Sequence, residues 1–302
     1  MSGSQPVAPA APAVVGRSLW SDAWRRLKRN RMALVGAIVL VLMALLCGLL
    51  PALLGLDPQT NNLDVVNHAP LDGPGVSLFG TDGNGRNYLA RVLVGGGYSL
   101  LVGLVATLVS VLIGTTVGAI AGYVGGRVDE VIMAFVDILY AIPYMFLVIL
   151  VLIVVGEEYR GNPIPIFAAL GMVQWLTMAR IVRGQVLSLR NQEFVDAARA
   201  LGASDARIIV RHILPNILGV VIVYATLTVP AVIILESFLS FLGLGLQLSW
   251  GALVAEGVKV VNPIESQWWL LLWPSLFLAA TLFSLNFLGD GLRDALDPKG
   301  RR

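Results

Sequence analysis

Covalent chemistry needs a nucleophile with its base, or a set of metal ligands, brought to one place, and few residues here can supply either. The chain has two histidines, His68 and His212, and no H-E-x-x-H pattern. Its one cysteine, Cys47, lies in an apolar run, which offers neither a disulfide framework nor a thiolate metal site. The lysines Lys28, Lys259 and Lys299 do not follow glycine, so there is no Walker A phosphate loop, and no G-x-G-x-x-G occurs. Two acids, Asp137 and Glu236, stand inside long apolar segments. An ionised group at the centre of a membrane helix costs about 2.5–3.5 kcal/mol, so each needs a reason. Two roles stand open for both: lining an aqueous path, or pairing with a backbone group or hydroxyl of a neighbouring helix. No catalytic site is expected, and no cofactor.

The composition says what must hold these residues. The chain is 57% hydrophobic and 13% charged, with a mean hydropathy of +0.79, where soluble domains carry about 25% charged residues. Six segments, near 32–54, 98–123, 132–155, 164–182, 217–243 and 269–289, are long enough to cross a bilayer core that takes about 20 helical residues. The expected fold is an all-α membrane protein with six spans, kinked in the fifth at Pro230. Residues 1–16 read as a disordered Ala/Pro/Val tail and 55–97 as an external loop. Across 17–31, Trp20, Ala23, Trp24 and Leu27 repeat at helical spacing opposite Arg25, Arg26, Lys28 and Arg29, which predicts an amphipathic helix in contact with membrane lipid. If the N-terminus is cytoplasmic, 17 of the 21 Lys and Arg fall on the inner side: in 17–31, at Arg127, from Arg180 to Arg211, and in a tail at 293–302. That bias places both termini inside and separates His68 from His212 by the membrane.

Between the fourth and fifth spans lies a polar insert at 190–216. Phe194, Ala197, Ala198 and Leu201 fall at i, i+3, i+4 and i+7, which predicts a short helix with an aromatic and small-residue face. Gly202 directly follows the last periodic residue and marks its end. Ser204 and Asp205 open a second helix that runs to Pro215. In the outer loop, SLFGTDGNGRNYLARVLVGG is rich in turn-forming glycine, with Tyr88, Leu89, Val92 and Leu93 on one face of a short helix before the second span.

Asp196, Ala197, Ala198, Gly202, Leu214 and Pro215 together resemble the EAA loop of permease subunits in binding-protein-dependent ABC importers, whose pattern is E-A-A-x3-G-x9-I-x-L-P. Asp196 stands for Glu, and His212 stands where Ile is usual, with Ile213 beside it. GTDGNGRN is similar to the GTDxxGRD segment of peptide and nickel permeases, with Asn87 in place of Asp. GRSLWSDAWRR, MARIVRGQVLSL, ESFLSFLGLG, SWGALV and LNFLGDGLRDALDPK resemble the C subunit of oligopeptide importers more than its dipeptide relative. The resemblance implies a type I ABC importer permease fold. It implies a coupling helix that docks in a cytoplasmic ATPase through Glu193, Phe194, Asp196, Ala197, Ala198, Leu201, Gly202, Ala203 and Pro215. The implied partners are a second, B-type permease subunit, two cytoplasmic ATPases that hold the ATP, and an external solute-binding protein that delivers the oligopeptide. No nucleic acid is expected. Related permeases for dipeptides, nickel chelates or other small solutes stand as the alternative. An ion-coupled secondary transporter would carry broken spans at matching places in two halves, and no such repeat is visible. For the outer loop two readings stand: contact with cargo, or a packed cap.

Overall fold

The computed structural model describes residues 19–73, 75–155, 163–260 and 266–296, so the expected tail at 1–16 and the last six residues lie outside the described part. In chain order the helices are α1 (Leu19–Arg29), α2 (Arg31–Ala44), α3 (Leu50–Leu53), α4 (Tyr88–Val124), α5 (Gly126–Ala141), α6 (Tyr144–Val155), α7 (Pro163–Leu189), α8 (Glu193–Ala200), α9 (Asp205–Ile208), α10 (Leu214–Phe241), α11 (Trp250–Val260) and α12 (Trp268–Leu296). One π-turn, Leu45–Leu49, joins α2 to α3, and another, Ile209–Ile213, joins α9 to α10. Among the described residues five helices are long and apolar enough to cross a membrane: Arg31–Leu53, Tyr88–Val124, Pro163–Leu189, Asp205–Phe241 and Trp268–Leu296.

The third expected span is not a straight helix. Its segment, 132–155, is divided between α5 and α6, which meet at 88°. Pro143 is the physical cause: it lacks an N–H and forces Ile142 into extended backbone, at φ −83° and ψ 128°. The second span begins ten residues earlier than expected. Asn87 caps α4 by accepting from the Ala90 amide at 3.1 Å, and the helix then runs on through Gly95, Gly96 and Gly97. Those glycines do not make a turn, because a side chain at Gly96 would collide with Trp250 and Cys47. The fifth span likewise extends back through the π-turn to Asp205. The helix α11 was not expected, being too short and mixed in character to stand out.

The bundle is held most closely between α4 and α7. Gly114, Gly118 and Gly122, four residues apart, form one stripe of α4. A Cβ at Gly118 would lie 2.4 Å from the Ala179 carbonyl oxygen, and one at Gly122 would lie 2.9 Å from that of Arg183. In lipid no hydrophobic force pulls helices together, so association depends on such backbone-to-backbone approach. This pairing carries the C-terminal ends of α4 and α7 side by side, and the α8–α9 hairpin is built on that end.

Candidate coupling site

At that end Ala119 and Tyr123 of α4, Met178, Val182 and Val186 of α7, and Ile213, Ile217 and Val221 around the start of α10 form a buried apolar cluster. Val195 and Ala198 of α8 and Ile208 of α9 complete it from the hairpin side. α8 carries Glu193 and Asp196 in its first turn and Arg199 in its last, the arrangement the helix dipole favours. It ends in a Schellman motif: Ala203 N–H donates to Ala198 O at 3.1 Å, and Gly202 N–H to Arg199 O at 3.0 Å. Gly202 has φ +80°, the left-handed conformation in which any Cβ is strained. Polar contacts fix the hairpin to the bundle. The Tyr123 hydroxyl donates to Asp205 at 2.9 Å, and Arg190 donates to the Gly122 carbonyl at 3.1 Å. A hydrogen bond with the Tyr123 hydroxyl holds the exposed Arg199 guanidinium above its ordinary value.

The four residues expected to share one docking face are divided by the structure. Ala198 is 7% exposed and turned into the bundle beside Val195, so its expected place on an outer face is corrected. Phe194, Ala197 and Leu201 stay outside, Leu201 at 88% exposed, with Glu193, Asp196 and Gly202 exposed around them. Ala203 is half-buried under the turn, and Pro215 is exposed one residue into α10. The helix has two apolar faces: a small inner one seats it, and an outer one has no partner among the described residues.

The two membrane acids differ. Asp137 pairs with Arg180 at 2.6 Å, not with a backbone group or hydroxyl, and the Arg180 guanidinium stacks 4.0 Å from the Tyr140 ring centroid. Both partners are open, Asp137 at 65% and Arg180 at 39%. Glu236 is fully buried. Its carboxylate accepts from the Ser240 hydroxyl at 2.6 Å, with the Ser237 and Ser99 hydroxyls at 3.5 Å. Of its two open roles, this burial fits the structural one.

Ahead of α4, the Thr81, Asp82 and Arg86 side chains of the GTDGNGRN segment are bonded within the protein. Asp82, 4% exposed, accepts from Arg86 and from the buried Arg91, both at 2.7 Å. Arg91 also grips Glu256 of α11 with two bonds of 2.7 and 3.0 Å. Trp269 donates to the Thr81 carbonyl at 3.1 Å, and Trp250 to that of Val92 at 3.0 Å. The segment is a corner that locks α4, α11 and α12 together, the packed cap of the two readings. Sequence reasoning missed Val195, Tyr123, Arg91 and Glu256; of what it missed, only the G-x-x-x-G stripe of α4 had a recognisable signal.

Residues 114–302 match the family of binding-protein-dependent transport system inner membrane components, and residues 18–70 match the N-terminal membrane domain of oligopeptide transport permease C. The oligopeptide transport system permease protein OppC of Escherichia coli (strain K12) is 54% identical over 291 residues, 95% of this chain and 94% of that one. The dipeptide transport system permease protein DppC of Bacillus subtilis (strain 168) is 42% identical over 288 residues, 94% of this chain and 87% of that one. Among solved structures, an inward-facing crystal form of the MetNI methionine ABC transporter overlays with a TM-score of 0.53 at 20% identity, over 70% of this chain and 98% of that one, a likeness of fold alone. With its helical membrane bundle and these matches along nearly its whole described length, the chain belongs to the inner membrane components of binding-protein-dependent transport systems, as a permease of the oligopeptide C-subunit type and not an enzyme.

Proposed function

We propose that the chain is one half of the pore of an ATP-driven oligopeptide importer of the cytoplasmic membrane, with both termini and the α8–α9 hairpin on the inner side. It works with a second permease subunit, two ATPases that bind the ATP, and an external binding protein that delivers the peptide. The names of its relatives support the cargo, and the Lys and Arg bias supports the orientation. The observation that carries the mechanism is the division of α8: Val195 and Ala198 are keyed into the bundle, while Phe194 and Leu201 stand exposed on the outside.

Closure of the ATPase pair displaces α8 by its outer face. Because α9 continues through one π-turn into α10 as a single 37-residue helix, the displacement passes to α10 directly. The inner face of α8 passes it also to the ends of α4 and α7. Asp137, Arg180 and Tyr140 form part of the path wall: Arg180 lies nine residues from the end of α7, about 13 Å along it, and an open ion pair at that depth belongs against water or protein, not lipid.

The test is uptake into proteoliposomes holding the purified permease pair and ATPases, with binding protein supplied outside. Tripeptide uptake that requires ATP hydrolysis supports the reading. Uptake that persists on an ion gradient without ATP refutes it in favour of a secondary transporter.

A further inference from the structure

The basic helix α1 is fixed in place against α2 and α12. Ala23, 7% exposed, is turned inward, and Gly291 of α12 leaves the room for the seat: a Cβ there would lie 2.3 Å from that of Ala33 and 3.5 Å from Leu27 Cδ1. Leu27 and Ala23 thus face α12, and Trp24 does not share their side as helical spacing alone had suggested. It is 58% exposed, and the Lys28 ammonium sits 5.0 Å over its ring. Arg25, Lys28 and Arg29 are exposed next to it, at i+1, i+4 and i+5 from Trp24, on one outward stripe. The helix holds four cations, Arg25, Arg26, Lys28 and Arg29, against one acid, Asp22.

The position of the stripe follows from the next residues. The Asn30 side chain accepts from the Met32 and Ala33 amides at 3.1 and 3.2 Å, and so starts α2 one residue after α1 ends. The first crossing helix begins at Arg31. The stripe therefore sits where that helix leaves the hydrocarbon, the level that indole rings and snorkelling cations prefer. We propose that the Trp24, Arg25, Lys28 and Arg29 face of α1 is a binding site for the headgroups of anionic phospholipids. The indole inserts at the acyl boundary, and the three cations lie among the phosphates. Charge complementarity and continuity with the crossing helix select this occupant. The site rests on α2 crossing the membrane and is independent of what the protein carries.

Each cation near an anionic surface is worth about fivefold in partition, so three give a preference on the order of a hundredfold at low salt. The experiment uses the full-length chain in phosphatidylcholine vesicles containing a small fraction of brominated phosphatidylglycerol or brominated phosphatidylcholine. The Trp24 share of the fluorescence is obtained by difference from Trp24→Phe. Brominated phosphatidylglycerol should quench that share several-fold more than brominated phosphatidylcholine, and salt should erase the difference. The triple variant Arg25→Gln, Lys28→Gln, Arg29→Gln alters exposed side chains only; it should lose the preference while quenching of the other tryptophans stays unchanged. Equal quenching by the two lipids would overturn the proposal, as would preference retained by the triple variant. Absence of any Trp24 quenching would overturn it too, and would point to an acidic protein surface over α1.

Discussion

Leu201 separates docking from folding more cleanly than any other position in the hairpin. Its side chain is 88% exposed, so almost all of its transfer free energy remains available to a partner. Burying a leucine is worth about 1.5–3 kcal/mol, and Leu201→Ala should give up roughly 2 kcal/mol of docking, about thirtyfold in affinity. Leu201→Asp should do more, since a carboxylate would have to be desolvated in the docked state. Neither touches the bundle. Val195, fully buried on the opposite face, is the control: Val195→Ala removes two buried carbons, about 1.6 kcal/mol plus a cavity term, from the permease itself. Thermal unfolding in detergent and co-purification of the ATPases read the two effects separately. Leu201→Ala should leave the melting temperature unchanged and lose ATPases; Val195→Ala should lower the melting temperature and keep whatever ATPase the folded fraction binds. The opposite pattern would mean that the faces of α8 have been assigned the wrong way round.

Other positions yield sharp expectations. Gly118→Val places a Cβ 2.4 Å from a carbonyl oxygen that cannot swing aside, so α4 and α7 should separate at a cost of about 1–3 kcal/mol or more, seen as lost monodispersity on size exclusion. At Gly202 nothing lies within 4 Å and only the backbone objects; Gly202→Ala should cost about 1–2 kcal/mol by thermal unfolding, with the hairpin still able to couple. Glu236→Gln preserves the shape and hydrogen bonding of the serine cage, so it should import at the normal rate, whereas Glu236→Leu strands the Ser240 hydroxyl and should destabilise by about 1–3 kcal/mol. A stable Glu236→Gln protein that fails to import would return Glu236 to the path.

What could be read from the residues and what could not divide along physical lines. A glycine directly after the last periodic residue has one economical use, and Gly202 has it. The inner and outer faces of α8 could not be told apart, because an eight-residue helix with Phe194, Val195, Ala197 and Ala198, capped by Leu201, is apolar over most of its circumference, and only the neighbours decide that Val195 and Ala198 go in. The bend at Pro143 was hidden by its surroundings: apolar residues on both sides look like one span, and proline in a membrane helix often only kinks it. Gly95 to Gly97 carry the reverse lesson, since three glycines read as a turn until Trp250 is found filling the space they leave. Arg91 was beyond reach altogether, because its partner Glu256 is 165 residues away on a helix that itself left no sequence pattern.

The central claim is that the outer face of α8 is gripped by an ATPase on the inner side of the membrane. Leu201→Cys, in a chain whose buried Cys47 is replaced by Ala, makes it directly measurable with a membrane-impermeant maleimide. The thiol should react in inside-out vesicles stripped of ATPases, be protected when the ATPases are added back, and stay silent in intact cells. Labelling of intact cells from outside, or a rate indifferent to the ATPases, would contradict the account.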